Sequence, residues 1–361
     1  MIKNLLENFS PEDNLIIWLI SAFILAFVIA YQSFPTILYV ARTKHLMDEP
    51  DRRSLHTNKT PTLGGIGIFI SLVVVMTITG AYLNTKVLLL VMGGLTILFF
   101  LGLKDDLTVL APHRKFTGQL ISALLLVFFT NTRIIGLSDI MDINEIPYWL
   151  SICFTLFVYI LIINAYNLID GIDGLAGTIA LTASAVFVYL FIKAGELSLA
   201  TIAVALGGAL LAFLRHNFSS KRKIFMGDTG SMIVGFLLAF FTISFIHKAQ
   251  TDILIEYHYA APALALAILF YPLMDTFRVF FIRIIIHKSS PFKPDKNHVH
   301  HRFISSGYSS LVTTILITGI NLIIILIAFN LVHLNLNTQI ILLMFYGPVL
   351  YVIPFMVKKI F

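Results

Sequence analysis

Charge is scarce in this chain. Asp, Glu, Lys and Arg make up 12% of its 361 residues and hydrophobic residues 58%, with a mean hydropathy of +0.90. That balance excludes a soluble globular protein. Cysteine is nearly absent: Cys153 stands alone within an apolar run, which excludes a disulfide framework and a thiolate metal cluster and reads as a small core residue. No secretory cleavage pattern follows residues 1–13, which carry Lys3, Glu7, Glu12 and Asp13, so the first apolar run reads as a retained helix. The Gly-Lys-Ser/Thr of a Walker loop is missing as well, which leaves out P-loop chemistry.

What is present is a series of long apolar runs, each near the roughly 20 residues that cross a bilayer. Eleven can be drawn, at about 14–34, 63–83, 86–103, 116–131, 147–166, 175–192, 197–214, 229–247, 259–277, 311–333 and 338–357. The expected fold is all-α: one polytopic membrane domain over 1–361 with about 11 transmembrane helices. The loops at 42–62, 104–115, 215–227 and 278–310 and the C-terminal tail hold 20 of the 25 Lys and Arg. Acidic residues divide almost evenly, so the bias is the positive-inside pattern. It places the N-terminus outside and the C-terminus in the cytoplasm, and explains most of the net charge of +6 without nucleic acid.

One polar stretch interrupts this pattern at a membrane face, Asn164 to Gly177, reading NAYNLIDGIDGLAG. Its Asn and Asp side chains, unpaired in hydrocarbon, would each cost several kcal/mol, so water, a ligand or one another must satisfy them. Gly171, Gly174 and Gly177 permit tight turns and close approach. On charge alone Asp170 and Asp173 are the first candidates for metal ligands. Other polar groups sit at loops expected on the same side. Asp105 and Asp106 end the third run, where adjacent carboxylates repel each other and the negative helix terminus; Lys115, a metal or a phosphate would relieve that. Asp228, in Phe225-Met226-Gly227-Asp228-Thr229-Gly230-Ser231, precedes an apolar helix and is read as an N-cap or as part of an anion or metal site. Pro61-Thr62-Leu63-Gly64-Gly65-Ile66-Gly67 is either helix-packing glycine or a backbone cradle for phosphate. His298, His300 and His301 beside Arg302 suggest zinc at first sight. Without Cys, and with two adjacent His that do not readily face one ion, a phosphate-binding cluster fits better. The segment 132–146 is expected outside as a small hairpin without chemistry.

A transporter would place ionisable groups near the bilayer midplane. Here they collect at one face, in loops at about 42–62, 104–115, 164–177, 215–230 and 278–310. That suits an enzyme joining a soluble anionic substrate to a membrane lipid. A transporter or flippase with a cytoplasmic gate is the alternative from another class. Oxygen donors point to Mg²⁺, with Mn²⁺ as the other candidate, and the bases point to phosphates.

NAYNLIDGIDGLAG, LKDDL, FMGDTGS, PTLGG and HVHHRF together, spread over about Asp48 to Arg302 with the motifs in the family's order, resemble the polyprenyl-phosphate N-acetylhexosamine-1-phosphate transferases. PFKPDKNHVHHRF is similar to the branch that transfers N-acetylglucosamine 1-phosphate from its UDP donor to undecaprenyl phosphate. The muramoyl-pentapeptide branch has three consecutive His, a run that Val299 breaks here.

The resemblance implies that Asn167 and Asp228 hold Mg²⁺ on the donor pyrophosphate and that Phe225 stacks on uracil. It puts Asp170 near the uridine, with Asp173, Asn164 and Asn217 in the donor pocket. Lys115, His298, His300, His301 and Arg302 would neutralise phosphate oxygens. Asp105 is the family's candidate for deprotonating the acceptor, with Asp106 beside it; a phosphate monoester with a second pKa of about 6 is mostly ionised at pH 7 already, so the alternative is that both orient Lys115 or the lipid phosphate. The implied setting is the bacterial cytoplasmic membrane, with UDP-N-acetylhexosamine and undecaprenyl phosphate as substrates and the start of a lipid-linked envelope glycan as the outcome. A different UDP-N-acetylhexosamine donor and a homodimer are left open. The apolar surface beside 259–287 is the expected groove for the acceptor tail.

Overall fold

Each of the eleven apolar runs folds as helix. The computed structural model describes residues 10–47, 60–137, 145–251, 253–288, 290 and 297–360, and among them there is no strand. The charged loop from Asp48 to Lys59, the Pro291–Lys296 segment and the middle of the expected hairpin, 138–144, lie outside the described residues. Of that hairpin, one backbone bond is described, from Ile146 N–H to the Ile135 carbonyl at 3.1 Å.

Eight described helices are long and apolar enough to cross a bilayer. They are α1 (Leu15–Thr43), α3 (Thr85–Thr108), α5 (Tyr148–Leu168), α6 (Leu175–Lys193), α7 (Leu197–Asn217), α8 (Gly227–Gln250), α12 (Ser310–Asn330) and α13 (Leu336–Ile360). The others differ for visible reasons. Helix α2 (Gly64–Thr79) has 16 residues, about 24 Å of rise. Helix α4 (Pro112–Thr130) opens on His113, Arg114 and Lys115. The 259–277 run, expected as one straight crossing, is broken into α9 (Ala261–Ile268) and α10 (Phe270–Phe281, continued by a π turn over Ile282–Ile286), bent by 81°.

The break has a chemical cause. Pro272 lacks the N–H that would bond the Ile268 carbonyl four residues back. Fully buried Asn321 on α12 fills both gaps: its amide donates to Ile268 O at 3.1 Å and its oxygen accepts Tyr271 N–H at 2.9 Å. Non-helical backbone at membrane depth survives where protein satisfies it in this way. A seven-residue helix, α11 (Val299–Ser305), follows.

The bundle is built around α8. Its apolar residues run all the way round, and nearly all are buried, as expected of a helix enclosed by others. Small residues let the neighbours approach closely. A Cβ on Gly65 of α2 would stand 2.2 Å from Gly230 N, and one on Gly102 of α3 would stand 2.4 Å from Thr229 Cα. The first turn of α8 is therefore pressed between α2 and α3.

Chain direction follows from the contacts. Trp18 at the start of α1 donates to Thr201 at the start of α7 (2.9 Å), and Arg42 at its end donates to the Lys221 carbonyl beyond α7 (2.9 Å). The last helix closes at that second end of the bundle, where Phe355 packs on Phe303 of α11 at 4.4 Å between ring centroids.

Candidate active site

Four helix termini converge at that end: the close of α3 with Asp105 and Asp106, the start of α4 with Lys115, the close of α5 with Asn167, and the start of α8 with Asp228. Lys115 lies between two carboxylates, paired with Asp105 and 3.2 Å from Asp228 Oδ2. Asp105 is buried, and its other oxygen accepts the Leu110 backbone N–H at 2.5 Å. The Asn167 amide donates to Asp228 Oδ1 at 2.6 Å and to Ser231 Oγ at 2.7 Å.

The adjacent Asp pair thus separates its charges by facing different partners. Asp106 turns to the first turn of α8, where it accepts the N–H of Asp228 (2.8 Å), the N–H of Thr229 (3.0 Å) and the Thr229 hydroxyl (2.5 Å). These are helix-terminal donors without intrahelical partners, and the positive end of the helix dipole favours the carboxylate. The N-cap residue, Met226, makes no side-chain cap bond, so the acid that caps α8 comes from α3 rather than from Asp228 itself.

The glycine segment at 64–65 resolves toward packing. Gly64 and Gly65 N–H donate to the carbonyls of Phe225 and Met226 at 2.9 and 3.0 Å, and Phe225 N–H donates to Pro61 O at 2.8 Å. These donors hold the FMGD segment in register and are not turned toward a phosphate. The Phe225 ring is half-buried, with Lys223 Nζ 5.3 Å from its centroid.

Asn164–Gly177 divides into three parts. Asn164 lies one turn before the cluster and bonds Gln119 of α4 (2.9 Å) and its own helix at Ile160 O (2.7 Å). Asn167 joins Asp228. The turn that follows carries Asp170, half-buried, and Asp173, which pairs with Lys223 at 2.6 Å. Asn217 braces this turn, accepting Gly174 N–H at 2.6 Å and donating to Ile224 O at 2.8 Å. The bulky groups that approach the glycines belong to the protein itself: a Cβ on Gly171 would meet His300 Nε2 at 2.8 Å, and one on Gly174, already at φ +79°, would meet the Phe218 ring at 2.0 Å. Asp170 and Asp173 thus face different partners, the first near the Gly227 N–H and the second on Lys223. Among the described residues no group of three or more His, Cys, Asp or Glu is placed to hold an ion.

The histidines reach the turn that follows Asn167. His300 meets the Gly171 turn, with His298 and His301 at ring distances of 5.5 and 4.4 Å from it. His298 and His300 are buried, His301 is half-buried, and Arg302 is exposed on α11. Two partners escaped sequence reasoning. Buried Asp275 binds His298 Nδ1 at 2.7 Å, and buried Tyr271 bonds His300 Nδ1 at 3.1 Å. The available signal was an acid inside an apolar run with a tyrosine four residues before it, on one helix face.

Electrostatics in the connecting segments follow from burial. Asp170 is held well above the usual carboxylate range, first by burial and then by the Asp228, Asp106 and Asp173 carboxylates, against the opposing Gly227 N–H. Burial pushes His300 down to about 3, and the Asp275 charge offsets that only in part.

The chain resembles known proteins over most of its length. The family described as glycosyl transferase family 4 matches residues 88–246, a span that contains Asp105, Asn167 and Asp228 together. The undecaprenyl-phosphate alpha-N-acetylglucosaminyl 1-phosphate transferase of Escherichia coli (strain K12) is 30% identical over 287 residues, 77% of this chain and 74% of the relative. The decaprenyl-phosphate N-acetylglucosaminephosphotransferase of Mycobacterium leprae (strain TN) is 30% identical over 317 residues, 81% and 78%. In Bacillus subtilis (strain 168) a relative named "Probable undecaprenyl-phosphate N-acetylglucosaminyl 1-phosphate transferase" is 29% identical over 314 residues, 84% and 82%. With its helical membrane architecture, its convergent acidic cluster and these relatives, the chain belongs to glycosyl transferase family 4, among the polyprenyl-phosphate N-acetylglucosaminyl 1-phosphate transferases.

Proposed function

We propose that this protein transfers N-acetylglucosamine 1-phosphate from a UDP donor to undecaprenyl phosphate. The observation that carries the reading is the convergence of Asp105, Lys115, Asn167 and Asp228 from four helix ends at one end of a membrane bundle. The relatives named for this reaction support it. A lipid phosphate and a soluble nucleotide sugar can meet only at such a boundary. The Lys and Arg bias supports a cytoplasmic position for that end, and the bacterial relatives support the bacterial cytoplasmic membrane as the bilayer.

In the reaction an oxygen of the lipid phosphate attacks the β-phosphorus of the donor. The bond from that phosphorus to the oxygen bridging to the α-phosphate breaks, and UMP leaves with the electron pair. One pyrophosphate linkage replaces another, so positioning and charge neutralisation would supply most of the rate. Lys115, held between Asp105 and Asp228, would bring its positive charge to the phosphates. Both oxygens of Asp105 are occupied, by Lys115 and by Leu110 N–H, which favours an orienting role over a base for an acceptor that is already mostly ionised at pH 7. Asp170, Asp173, Asn217 and Phe225 would shape the nucleotide pocket, and the histidines would face phosphate.

The donor set fits Mg²⁺. A carboxylate and an amide side by side, with no thiolate, suit a hard cation that keeps few protein ligands and takes the rest from substrate phosphates. Asp228 and Asn167 would hold it, and when bound it would supply charge neutralisation on the donor pyrophosphate.

The test is UMP release by the purified protein from a panel of UDP sugars, with undecaprenyl phosphate and Mg²⁺. UDP-N-acetylglucosamine should be the best donor, and Asp228→Ala should lower the rate by about 100-fold or more. No UMP from any donor would sink the transferase reading, and an unimpaired Asp228→Ala enzyme would remove the metal assignment.

A further inference from the structure

Helix α10 presents two polar side chains one helical turn apart, Tyr271 and Asp275, both fully buried. Each meets the Nδ1 of a different imidazole: Asp275 Oδ2 meets that of His298 at 2.7 Å, and Tyr271 Oη meets that of His300 at 3.1 Å. The second Asp275 oxygen accepts the Val299 N–H at 2.8 Å, an orphan donor of the first turn of α11. One carboxylate therefore grips both a histidine ring and the backbone that carries the next two. Just before α11, Arg278 on the same helix donates to the Asn297 carbonyl at 2.6 Å. The two pinned rings lie nearly parallel, 16° apart with centroids 5.5 Å from each other.

With Nδ1 engaged on each ring, the free edge is Nε2. For His300 that atom is the one that approaches the Gly171 turn, between Asn167 and the nucleotide-pocket residues. A carboxylate accepting from Nδ1–H fixes a histidine's tautomer and orientation and leaves its far nitrogen available to a ligand.

We infer that Asp275, with Tyr271, is a positioning residue for phosphate recognition. It acts through His298, setting the ring so that Nε2 meets a phosphate oxygen of the reacting pair, while Tyr271 sets His300 in the same way. The inference rests on the transferase reading of the site and extends it to two residues on α10 that need not touch substrate themselves.

The test is a double-mutant cycle on the full-length protein, reading UMP release from UDP-N-acetylglucosamine and undecaprenyl phosphate, with thermal midpoints recorded alongside. Asp275→Asn keeps the side chain's shape and one acceptor for Val299 N–H but replaces the acceptor on His298 with an amide donor. The expected loss in kcat is about 10- to 100-fold, with KM for the UDP sugar within about threefold. In a His298→Asn background the same change should cost less than about threefold, because the ring it positions is gone. Equal losses in the two backgrounds would overturn the inference, since a merely structural acid costs the same whether or not His298 is present. Tyr271→Phe, which removes only a hydroxyl, decides the matter if Asp275→Asn does not fold. It should lower kcat in the wild-type background and not in His300→Asn, and equal losses again refute the inference. A wild-type protein that releases no UMP defeats the transferase reading itself. An active wild type with an additive cycle defeats only the positioning role.

Discussion

Asp170 shows how a single residue at this site sets stability against function. Its carboxyl is held well above the usual carboxylate range by burial and by three neighbouring acids, whereas in the unfolded chain it titrates near 3.9. Between those values folding takes up a proton, so this residue's contribution to stability is largest below about pH 4 and declines as pH rises toward its folded value. Asp170→Asn has no proton to gain. Its thermal midpoint should exceed that of the wild type at neutral pH, by a margin that grows from pH 5 upward, while donor turnover falls. Parallel midpoint curves for the two proteins across that range would contradict this account. His300 acts in the opposite sense: with a folded value of about 3 against about 6.5 unfolded, its contribution is intact above pH 6.5 and is lost as pH falls toward 3.

At the scale of elements, the site depends on how closely three helix ends approach. Asp228 is placed because α2 and α3 press on the first turn of α8 through Gly65 and Gly102, and because Asp106 caps that turn from outside. Gly65→Ala would put a Cβ 2.2 Å from Gly230 N, where backbone on both sides must move, whereas Gly93→Ala on α3 meets only a Leu125 methyl at an ordinary 3.6 Å. Gly65→Ala should therefore cost about 1–3 kcal/mol and reduce transferase activity. Gly93→Ala should be neutral or slightly stabilising, by up to about 1 kcal/mol. Thermal midpoints and UMP release on the two variants check this; similar behaviour of both would show that helix approach does not control the site.

At the scale of the whole molecule, sidedness follows from which contacts share an end. Ser220, exposed beyond α7, lies at the end that holds Arg42, Asp228 and α11. His333, exposed after α12, lies at the other, since α12 begins beside the site with Thr314 bonded to the Asp173 carbonyl at 2.8 Å. Cys153, the chain's single cysteine, is exposed on α5 and not in the core as expected, so a Cys153→Ala background gives a clean labelling test. With intact cells and a membrane-impermeant thiol reagent, His333→Cys should react and Ser220→Cys should react only after the membrane is opened. The reverse pattern would invert the assignment of the site to the cytoplasm. Beyond the α9–α10 bend Phe277, Phe281 and Ile284 to Ile286 are all exposed, as on any surface that faces lipid.

Local sequence by itself determined the helical class and the approximate position of the apolar helices, though not of α11, which lies within the expected 278–310 loop. A twenty-residue apolar run in a bilayer has one general way to satisfy its own backbone. It also determined that the polar residues gather at helix ends, because hydrocarbon tolerates them poorly elsewhere. It was silent on partners, which depend on contacts between residues scores of positions apart. Asp105 and Asp106 read as a repelling pair, and only the packing shows one on Lys115 and the other on the α8 terminus. Gly64 and Gly65 suited a phosphate cradle until their donors were found on Phe225 and Met226. The single helix expected over 259–277 is broken at Pro272, and Asn321, some fifty residues on, satisfies the backbone groups that the break leaves open. Asp275 lies inside an apolar run with no partner in sight along the chain, and it took the fold to bring His298 to it. Spacing along a helix is a local property that the chain carries at every point, whereas which polar group meets which is decided only when the helices pack.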